Sequence, residues 1–482
     1  MATKTLDKEG AGRSISQYFQ SFFASVRSWK RFLKVDIILA ALFLASLVSP
    51  TITAVTRISV KYYALFFALY VVWFITAILR YRKQGKKFLI DKSRYKEVIA
   101  MLVWLVLLAV NVLLGRGEGG TWAVIYTVMF MTVYVMDYVY SMYNDRSVLK
   151  ALMVFVLVVF AIESLRSIAI LHTHPHMARW FNAFYDQKPE YYFPFELRGL
   201  GDYPFFTAGA LAIPVFLHMV VKSKHRILLG IAYLSVVAGI FYSGYTGSTM
   251  LVFTTLLFVL IYATFFYKNK KRKRAFLIIV ALTVVLITIL FAFCIHDEMM
   301  EDYRFKYRDL ASVILGKVDI EINVDKPPVF DPNHVIKKGD ATISRMSLYI
   351  KSIETFLRNP FFGVGPFFRT ATIKNGIGGH SSWLDFLAMY GIVQCLPLIL
   401  CFYFYFRRNM KQHTYAVNKV MRFLPWLFFM GYGLVNPVYV ARCFPVALCL
   451  FIGGNSPRGL AVPIKDLFRG KKKVALVSNI DE

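Results

Sequence analysis

Long apolar stretches, each followed by a short polar or basic segment, recur along most of the chain. A stretch of about 20 apolar residues crosses the hydrocarbon core of a bilayer as a helix. The pattern predicts about twelve spans, near residues 36–56, 62–79, 97–114, 121–142, 150–170, 203–221, 227–242, 248–267, 275–294, 381–406, 423–440 and 442–454. The fold class that follows is an all-α polytopic membrane protein.

The spans group into one membrane domain with a single large polar excursion. We predict a cytoplasmic segment over 1–35, nine spans within 36–294, a large external loop over 295–380 that carries amphipathic helices, three further spans within 381–454 and a cytoplasmic tail over 455–482. Loops as long as 295–380 usually have a function or a structure of their own.

Basic residues give the spans an orientation. Eight lie between Arg80 and Lys96, and six lie between Lys268 and Arg274. Such clusters mark cytoplasmic loops. The alternation of spans therefore predicts that both termini are cytoplasmic and that the 295–380 loop lies outside.

Composition agrees with this interpretation. The 482 residues are 57% hydrophobic, with a mean hydropathy of +0.52, well above the values of soluble globular proteins. The formal net charge of +29 would suggest nucleic acid in a soluble protein. Here the basic residues follow the membrane topology, so we expect no nucleic-acid partner.

The segment from Ser344 to Leu357 has the pattern of an amphipathic helix. Apolar residues recur at three- and four-residue spacing, with polar residues between them, and Arg345 stands at the start of the segment. Asn359-Pro360 ends the helix, because a proline disfavours helical geometry in the preceding residue. Gly363 and Gly365 then allow a sharp turn.

His380 precedes the next apolar helix. Ser382 and Asp385 fit a capping box, which predicts that a helix begins there and continues to about Phe406. Free N–H groups and the helix dipole at such a terminus favour an anion such as phosphate.

Further charges lie near other span ends. Glu163 and Arg166 are three residues apart on one face of the fifth span, where they either pair with each other or line a cavity. Arg198 lies beside Gly199 and just before the sixth span. The alternating His172, His174 and His176 lack a nearby Cys, Asp or Glu to complete a tetrahedral set, so we expect no metal.

Arg198, Arg345 and His380 are all predicted to be on the outer face. Two guanidiniums and an imidazole suit a diphosphate and a proton transfer from a sugar hydroxyl. The chain has no Gly-x4-Gly-Lys-Ser/Thr loop for a nucleotide and no Asp-x-Asp pair beside a span for a divalent metal.

At these residues the chain resembles the O-antigen polymerase and ligase family, of the Wzy and WaaL type. The matching pieces are L-R-G-L-G-D-Y-P-F-F, S-R-M-S-L-Y-I-K-S-I-E-T-F-L-R-N-P-F-F-G-V-G and H-S-S-W-L-D-F-L-A-M-Y-G-I. Many members carry Ser-Arg in the turn before the eighth span, whereas this chain has Ser-Gly-Tyr-Thr-Gly-Ser over 243–248. An anion contact from that turn is not expected here.

The resemblance implies a GT-C-like membrane glycosyltransferase. It would act on the outer face of the bacterial inner membrane, moving a glycan from an undecaprenyl-diphosphate carrier without metal or cofactor. Arg345 and Arg198 would hold the diphosphate, and His380 would activate the acceptor hydroxyl for an inverting displacement. Arg358 and Arg369 are close enough in sequence to substitute as diphosphate ligands, and Glu163 and Arg166 are candidates for orienting the acceptor.

Three functions remain open. A polymerase joining lipid-linked repeat units of capsule, exopolysaccharide or O-antigen is preferred, because the 295–380 and 171–205 loops would accommodate a growing glycan. A ligase to lipid A core uses the same donor. A flippase is disfavoured, because it needs charges across several mid-membrane helices. Expected partners are the lipid-linked donor, the acceptor glycan, membrane lipids and a chain-length regulator.

Overall fold

A computed structural model of the chain describes residues 34–52, 62–85, 89–91, 94–116, 120–143, 145–175, 177–178, 195, 198–223, 225–265, 270–295, 300, 303–304, 341–366, 376–411, 419–438, 444, 446 and 461–463. Within these ranges the structure consists of helices, the turns that connect them and two three-residue strands. Strand β1 (Leu89–Asp91) pairs antiparallel with β2 (Ala461–Pro463), with Ile90 opposite Val462.

Twelve α-helices are described. They are α1 (Val35–Val48), α2 (Tyr62–Lys83), α3 (Tyr95–Leu113), α4 (Gly120–Met142), α5 (Arg146–Thr173), α6 (Tyr203–Lys222), α7 (Arg226–Tyr242), α8 (Thr246–Phe265), α9 (Lys270–Ile289), α10 (Ala341–Arg358), α11 (Ser382–Lys411) and α12 (Lys419–Val435). A π-helical turn, Leu290–Cys294, extends α9.

The helices fall where the apolar pattern places them. One helix lies in each of the first eleven predicted spans, and α10 lies in the predicted external loop. Seven described helices are long and apolar enough to cross a membrane, and α1, α7 and Phe423–Val435 of α12 are shorter apolar helices. The protein is therefore a multi-pass membrane protein. The range 442–454 lies almost entirely outside the described residues, so the twelfth span stays a prediction.

One end of the helix bundle carries buried ion pairs and is called the basic end below. Arg94 pairs with Asp137 at 2.9 Å, joining the start of α3 to the end of α4. Arg408 pairs with Glu97 at 2.6 Å and joins α11 to α3. Because a buried charge is tolerated only with a partner, these arginines hold helices together.

The opposite end is called the His380 end. There the end of α5, the start of α6, the start of α11 and the end of α12 meet, and α10 packs against α11. Between the two ends, Asn111 of α3 and Gln394 of α11 exchange two amide hydrogen bonds, of 2.7 and 3.2 Å. Polar groups at membrane depth need such internal partners, so this pair fixes α11 beside α3.

Candidate functional site

Helix α10 is attached to the bundle through its polar side. The Ser352 hydroxyl, fully buried, donates to Asp385 Oδ1 at 2.6 Å and accepts from the Gly378 amide at 2.8 Å. The Tyr349 hydroxyl donates to the Val435 carbonyl oxygen at 2.7 Å. These bonds connect α10 to the loop before α11, to α11 itself and to the end of α12.

Arg345 lies one helical turn before Tyr349 and two turns before Ser352, so its backbone is on the bundle side of α10. Its side chain is outside the described part of the structure, and so is all of Arg369. Arg358 ends α10 and is exposed. The structure therefore places the backbone of Arg345 on the side of α10 that packs against the bundle, and the contacts of its side chain stay a prediction.

The turn after α10 inserts into a break in α11. Val364 and Gly365 donate their amides to the carbonyl oxygens of Ala388 and Met389, at 3.0 and 2.8 Å. On the other side of the break, Ile392 and Val393 donate to the carbonyl oxygens of Pro360 and Phe361, at 2.8 and 3.1 Å. These four bonds replace two that a continuous helix would make there, so the amides of Ile392 and Val393 keep a partner across the break.

Two glycines make this insertion possible. Gly391 interrupts α11 with φ +65°, and an added Cβ would overlap the Phe361 carbonyl group. Gly363 has φ +64°, and its Cβ would overlap the backbone of Met389. The N-P-x-x-G-x-G stretch and the M-Y-G-I stretch are thus one packing unit. The sequence predicts a turn at Gly363 but carries no signal of its partner.

The start of α11 is capped one residue earlier than predicted. Ser381 is the capping residue: its hydroxyl accepts from the Leu384 amide at 3.1 Å, and its own amide donates to Asp385 Oδ2 at 3.0 Å. Ser382 instead accepts the Val438 amide at 2.6 Å. The prediction of Ser382 as the cap was therefore wrong by one position.

This cap changes the expected anion site. The amides of Ser381, Ser382 and Leu384 already donate to Asp385, Asn436 and Ser381, respectively. Three of the amides at this helix terminus are therefore already bonded within the protein, which leaves fewer for an anion than the sequence suggests. His380 is half-buried directly before the cap.

Arg198 lies in a turn that is hydrogen-bonded to residues near the end of α5. Arg166 donates from Nη2 to the Arg198 carbonyl oxygen at 2.9 Å, and the Gly201 amide donates to Ser167 Oγ at 2.8 Å. Gly199, at φ +85°, lies against Thr51 and Glu163, where a Cβ would overlap the Thr51 hydroxyl. The Arg198 guanidinium is exposed and lies 5.8 Å from the Phe195 ring centroid.

Glu163 and Arg166 do not form the ion pair that was one of the two predicted alternatives. Buried Glu163 accepts hydrogen bonds from the hydroxyls of Ser49 and Thr51, the latter at 2.8 Å, while Arg166 points to the Arg198 turn. Their helical spacing, visible in the sequence, places both side chains at this turn. The sequence could not show that these two side chains support the Arg198 turn and do not pair with each other.

Helix α12 connects the Arg198 region to the His380 region. The Tyr203 hydroxyl at the start of α6 donates to the Tyr432 hydroxyl at 3.1 Å. One residue further along α12, the Gly433 carbonyl oxygen accepts the Ser381 hydroxyl at 3.2 Å. Arg198 and His380, far apart in sequence, therefore belong to one hydrogen-bonded assembly at the same end of the bundle.

The described residues contain no group of three His, Cys, Asp or Glu side chains arranged to hold a metal. His172 and His174 lie at the end of α5, and His176 lies outside the described ranges.

These observations define a class of protein: a polytopic membrane protein with arginines and a histidine collected at one end of its helix bundle. A family model described as O-antigen ligase matches residues 231–403. This match confirms the resemblance to the O-antigen polymerase and ligase family, and it covers Arg345, His380 and the Gly391 interlock but not Arg198. A search of curated proteins finds no match. Over residues 231–403 the chain is therefore similar to membrane glycan transferases of the O-antigen ligase and polymerase type.

Proposed function

We propose that the protein is a polysaccharide polymerase of the bacterial inner membrane. It transfers a glycan from an undecaprenyl-diphosphate donor to a hydroxyl of a lipid-linked acceptor glycan, with its site on the outer face. The observation that supports this best is the hydrogen-bonded assembly through α12, because it brings Arg198 and His380 to one end of the bundle.

Uncompensated positive charge supports a diphosphate ligand. Among the described residues at the His380 end, Arg166 and Arg116 donate to backbone carbonyl oxygens and Arg198 lies over an aromatic ring. The nearby carboxylates of Glu163 and Asp385 accept from serine and threonine hydroxyls and a backbone amide. An arginine fork without a carboxylate partner suits bidentate binding of phosphate.

The proposed reaction is a single displacement. His380 takes the proton of the acceptor hydroxyl, and that oxygen attacks the anomeric carbon. The bond from this carbon to the diphosphate oxygen breaks, and undecaprenyl diphosphate leaves with its negative charge held by Arg345 and Arg198. One displacement inverts the anomeric configuration. Arg166 contributes by fixing the Arg198 turn.

A ligase is the second candidate, favoured by the match of residues 231–403 to an O-antigen ligase family model. It would use the same donor site and differ in the acceptor, lipid A core. The length of the 295–380 segment favours the polymerase, since a growing glycan needs room outside the membrane. A flippase would use the same lipid-linked glycan but break no glycosidic bond. A chain-length regulator is a partner of the polymerase alone.

The test is incubation of the purified protein with synthetic undecaprenyl-diphosphate repeat units in detergent containing EDTA, followed by glycan sizing. A ladder of products that is absent with His380→Ala and with Arg345→Ala is the expected result. Transfer only after addition of lipid A core would identify a ligase. No transfer to either acceptor by a folded protein would contradict both enzymes and leave transport.

A further inference from the structure

The apolar side of α10 does not face the protein. Met346, Ile350, Ile353 and Leu357 are 51%, 50%, 41% and 67% exposed, although they form one continuous stripe. The side that packs against the bundle is instead the one with Ser352, which is 0% exposed. An amphipathic helix normally buries its apolar stripe, so this stripe needs an occupant.

Three sides can be distinguished on α10, given roughly 100° of rotation per residue. Leu348, Tyr349, Ser352 and Thr355 face the bundle. The exposed apolar stripe occupies the second side. Exposed Ser347, Glu354 and Arg358 occupy the third side. A helix with one side packed on protein, one exposed apolar side and one exposed polar side has the pattern of a helix lying in a membrane interface.

The depth of α10 is set by the turn that follows it. Arg116, directly after α3, donates to the Gly363 carbonyl oxygen at 3.1 Å, and the same turn is bonded into the break of α11 at Gly391. From Gly391 to the buried Arg408, α11 measures about 26 Å at 1.5 Å per residue, close to the thickness of a hydrocarbon core. The turn therefore lies at the membrane boundary.

The apolar stripe continues into surface that faces lipid. Phe361 and Phe362, in the turn, are 63% and 55% exposed. They adjoin Ile392 and Val393 at the break of α11 through the Val393–Phe361 backbone bond. Below the break, the exposed apolar surface of α11 runs on through Leu396, Ile399 and Leu400. Among the described residues, exposed apolar side chains of the turn, Phe361 and Phe362, therefore lie between the stripe of α10 and this surface of α11.

We infer that α10 is an interfacial helix whose stripe of Met346, Ile350, Ile353 and Leu357, extended by Phe361 and Phe362, inserts into the bilayer leaflet at the His380 end. The occupant is the lipid surface itself. Arg358 and Arg116, at the end of α10 and of α3, are at the level of the headgroup phosphates, where basic side chains are favourable.

This placement has a consequence for the reaction, which rests on the proposed function. The diphosphate of a membrane-anchored carrier lies at headgroup depth. A helix lying in that plane holds the backbone of Arg345 at the same depth on its bundle side. The donor diphosphate then reaches the site without its lipid chain leaving the bilayer.

Spin-label accessibility tests the inference independently of activity. The five native cysteines are replaced, and single cysteines are introduced as I353C and L357C on the apolar stripe. The matched control is E354C, next to Ile353 but on the water side. Each is labelled with a nitroxide in the full chain, reconstituted in phosphatidylethanolamine and phosphatidylglycerol vesicles.

We expect the ratio of oxygen to water-soluble nickel collisions to be several-fold higher at positions 353 and 357 than at 354. Nickel accessibility equal to that at 354 would overturn the inference, because the stripe would face water. Low accessibility to both reagents would also overturn it, because protein would cover the stripe, either residues 305–340 or a second copy of the chain.

A second readout avoids replacing the cysteines. A benzophenone amino acid at position 353 should yield lipid adducts by mass spectrometry after illumination, and the same residue at 354 should yield few. Adducts to protein alone at 353 would contradict the inference. Glycan sizing on the unmodified chain reports on the proposed function separately, so the two can fail independently.

Discussion

The arginines at the two ends of the helix bundle have different kinds of partner. At the basic end, Arg94 and Arg408 are buried, and each has a carboxylate within 3 Å; Arg80 lies 3.3 Å from Asp36 and 3.2 Å from Asp145. At the His380 end, Arg166 donates to a carbonyl oxygen and Arg198 lies over a ring. Within the described ranges, no arginine at that end has a carboxylate partner.

This contrast distinguishes arginines that stabilise the fold from arginines that are available to bind an anion. A paired buried charge holds two helices together, and its charge is already compensated by the carboxylate. An arginine that donates only to a carbonyl, or lies over a ring, keeps most of its positive charge for an anion. On the proposed function, we therefore expect the basic end to contribute to stability and the His380 end to bind the substrate.

The largest expected effect is at His380. His380→Ala should lower the transfer rate about 100- to 10,000-fold, the usual contribution of a general base, and Arg345→Ala should lower it by about 100-fold or more through loss of charge stabilisation. Glycan sizing under single-turnover conditions measures both.

The unfolding temperature of both variants should stay that of the parent protein. Glu354→Ala, on the water side of the Arg345 helix, should leave the rate within about a factor of two. A His380 variant that loses its folded structure along with its activity would place His380 with the structural residues and break the comparison.

At the basic end the expected effect is on stability. Arg408→Ala should lower the free energy of unfolding by about 3–5 kcal/mol, because Glu97 is left as an unpaired buried charge. Arg407, adjacent and exposed, is the matched control and should change it by less than about 0.5 kcal/mol. Thermal unfolding in detergent measures the difference.

A double variant sharpens this test. Arg408→Met with Glu97→Gln removes both charges and should recover much of the lost stability. An Arg408→Ala protein that unfolds at the parent temperature but no longer transfers glycan would assign this arginine to the reaction.

Gly391 should have a smaller effect, again on stability. Gly391→Ala forces an L side chain to φ +65° and into the Phe361 carbonyl group, which should cost about 1–3 kcal/mol or displace the inserted turn. Gly431→Ala in α12 is the control, because no atom lies within 4 Å of its added Cβ. Equal unfolding temperatures for the two variants would show that the interlock does not hold α10 in place.

The smallest expected effect is at Arg166. Arg166→Ala removes the bond to the Arg198 carbonyl oxygen and should raise the KM for the lipid-linked donor about tenfold, the equivalent of about 1.4 kcal/mol. Arg166→Lys should restore part of this loss, since an ammonium can also donate to the carbonyl. A reduction in unfolding temperature without a change in KM would make Arg166 a structural residue only.

The sequence by itself determined which of the described segments are helices, and it supplied the site residues, which stay predictions. Apolar length and basic clusters placed eleven of the described helices, because the bilayer imposes a minimum apolar length and cytoplasmic loops retain positive charge. The pattern of α10 predicted its helix, and Asn359-Pro360 predicted its end. Each of these features depends on residues that are close in sequence, so it can be predicted from the sequence alone.

Only the tertiary structure decided how these pieces meet. The insertion of the 359–365 turn at Gly391, the support of the Arg198 turn by Arg166 and the bridge from Tyr203 through Tyr432 to Ser381 all join residues far apart in sequence. The exposed side of α10 is a further example, since amphipathic periodicity shows that an apolar stripe exists but not whether protein or lipid covers it. Backbone N–H and C=O groups inside a membrane need hydrogen-bond partners within the protein. Which residues provide those partners depends on how the helices pack in three dimensions.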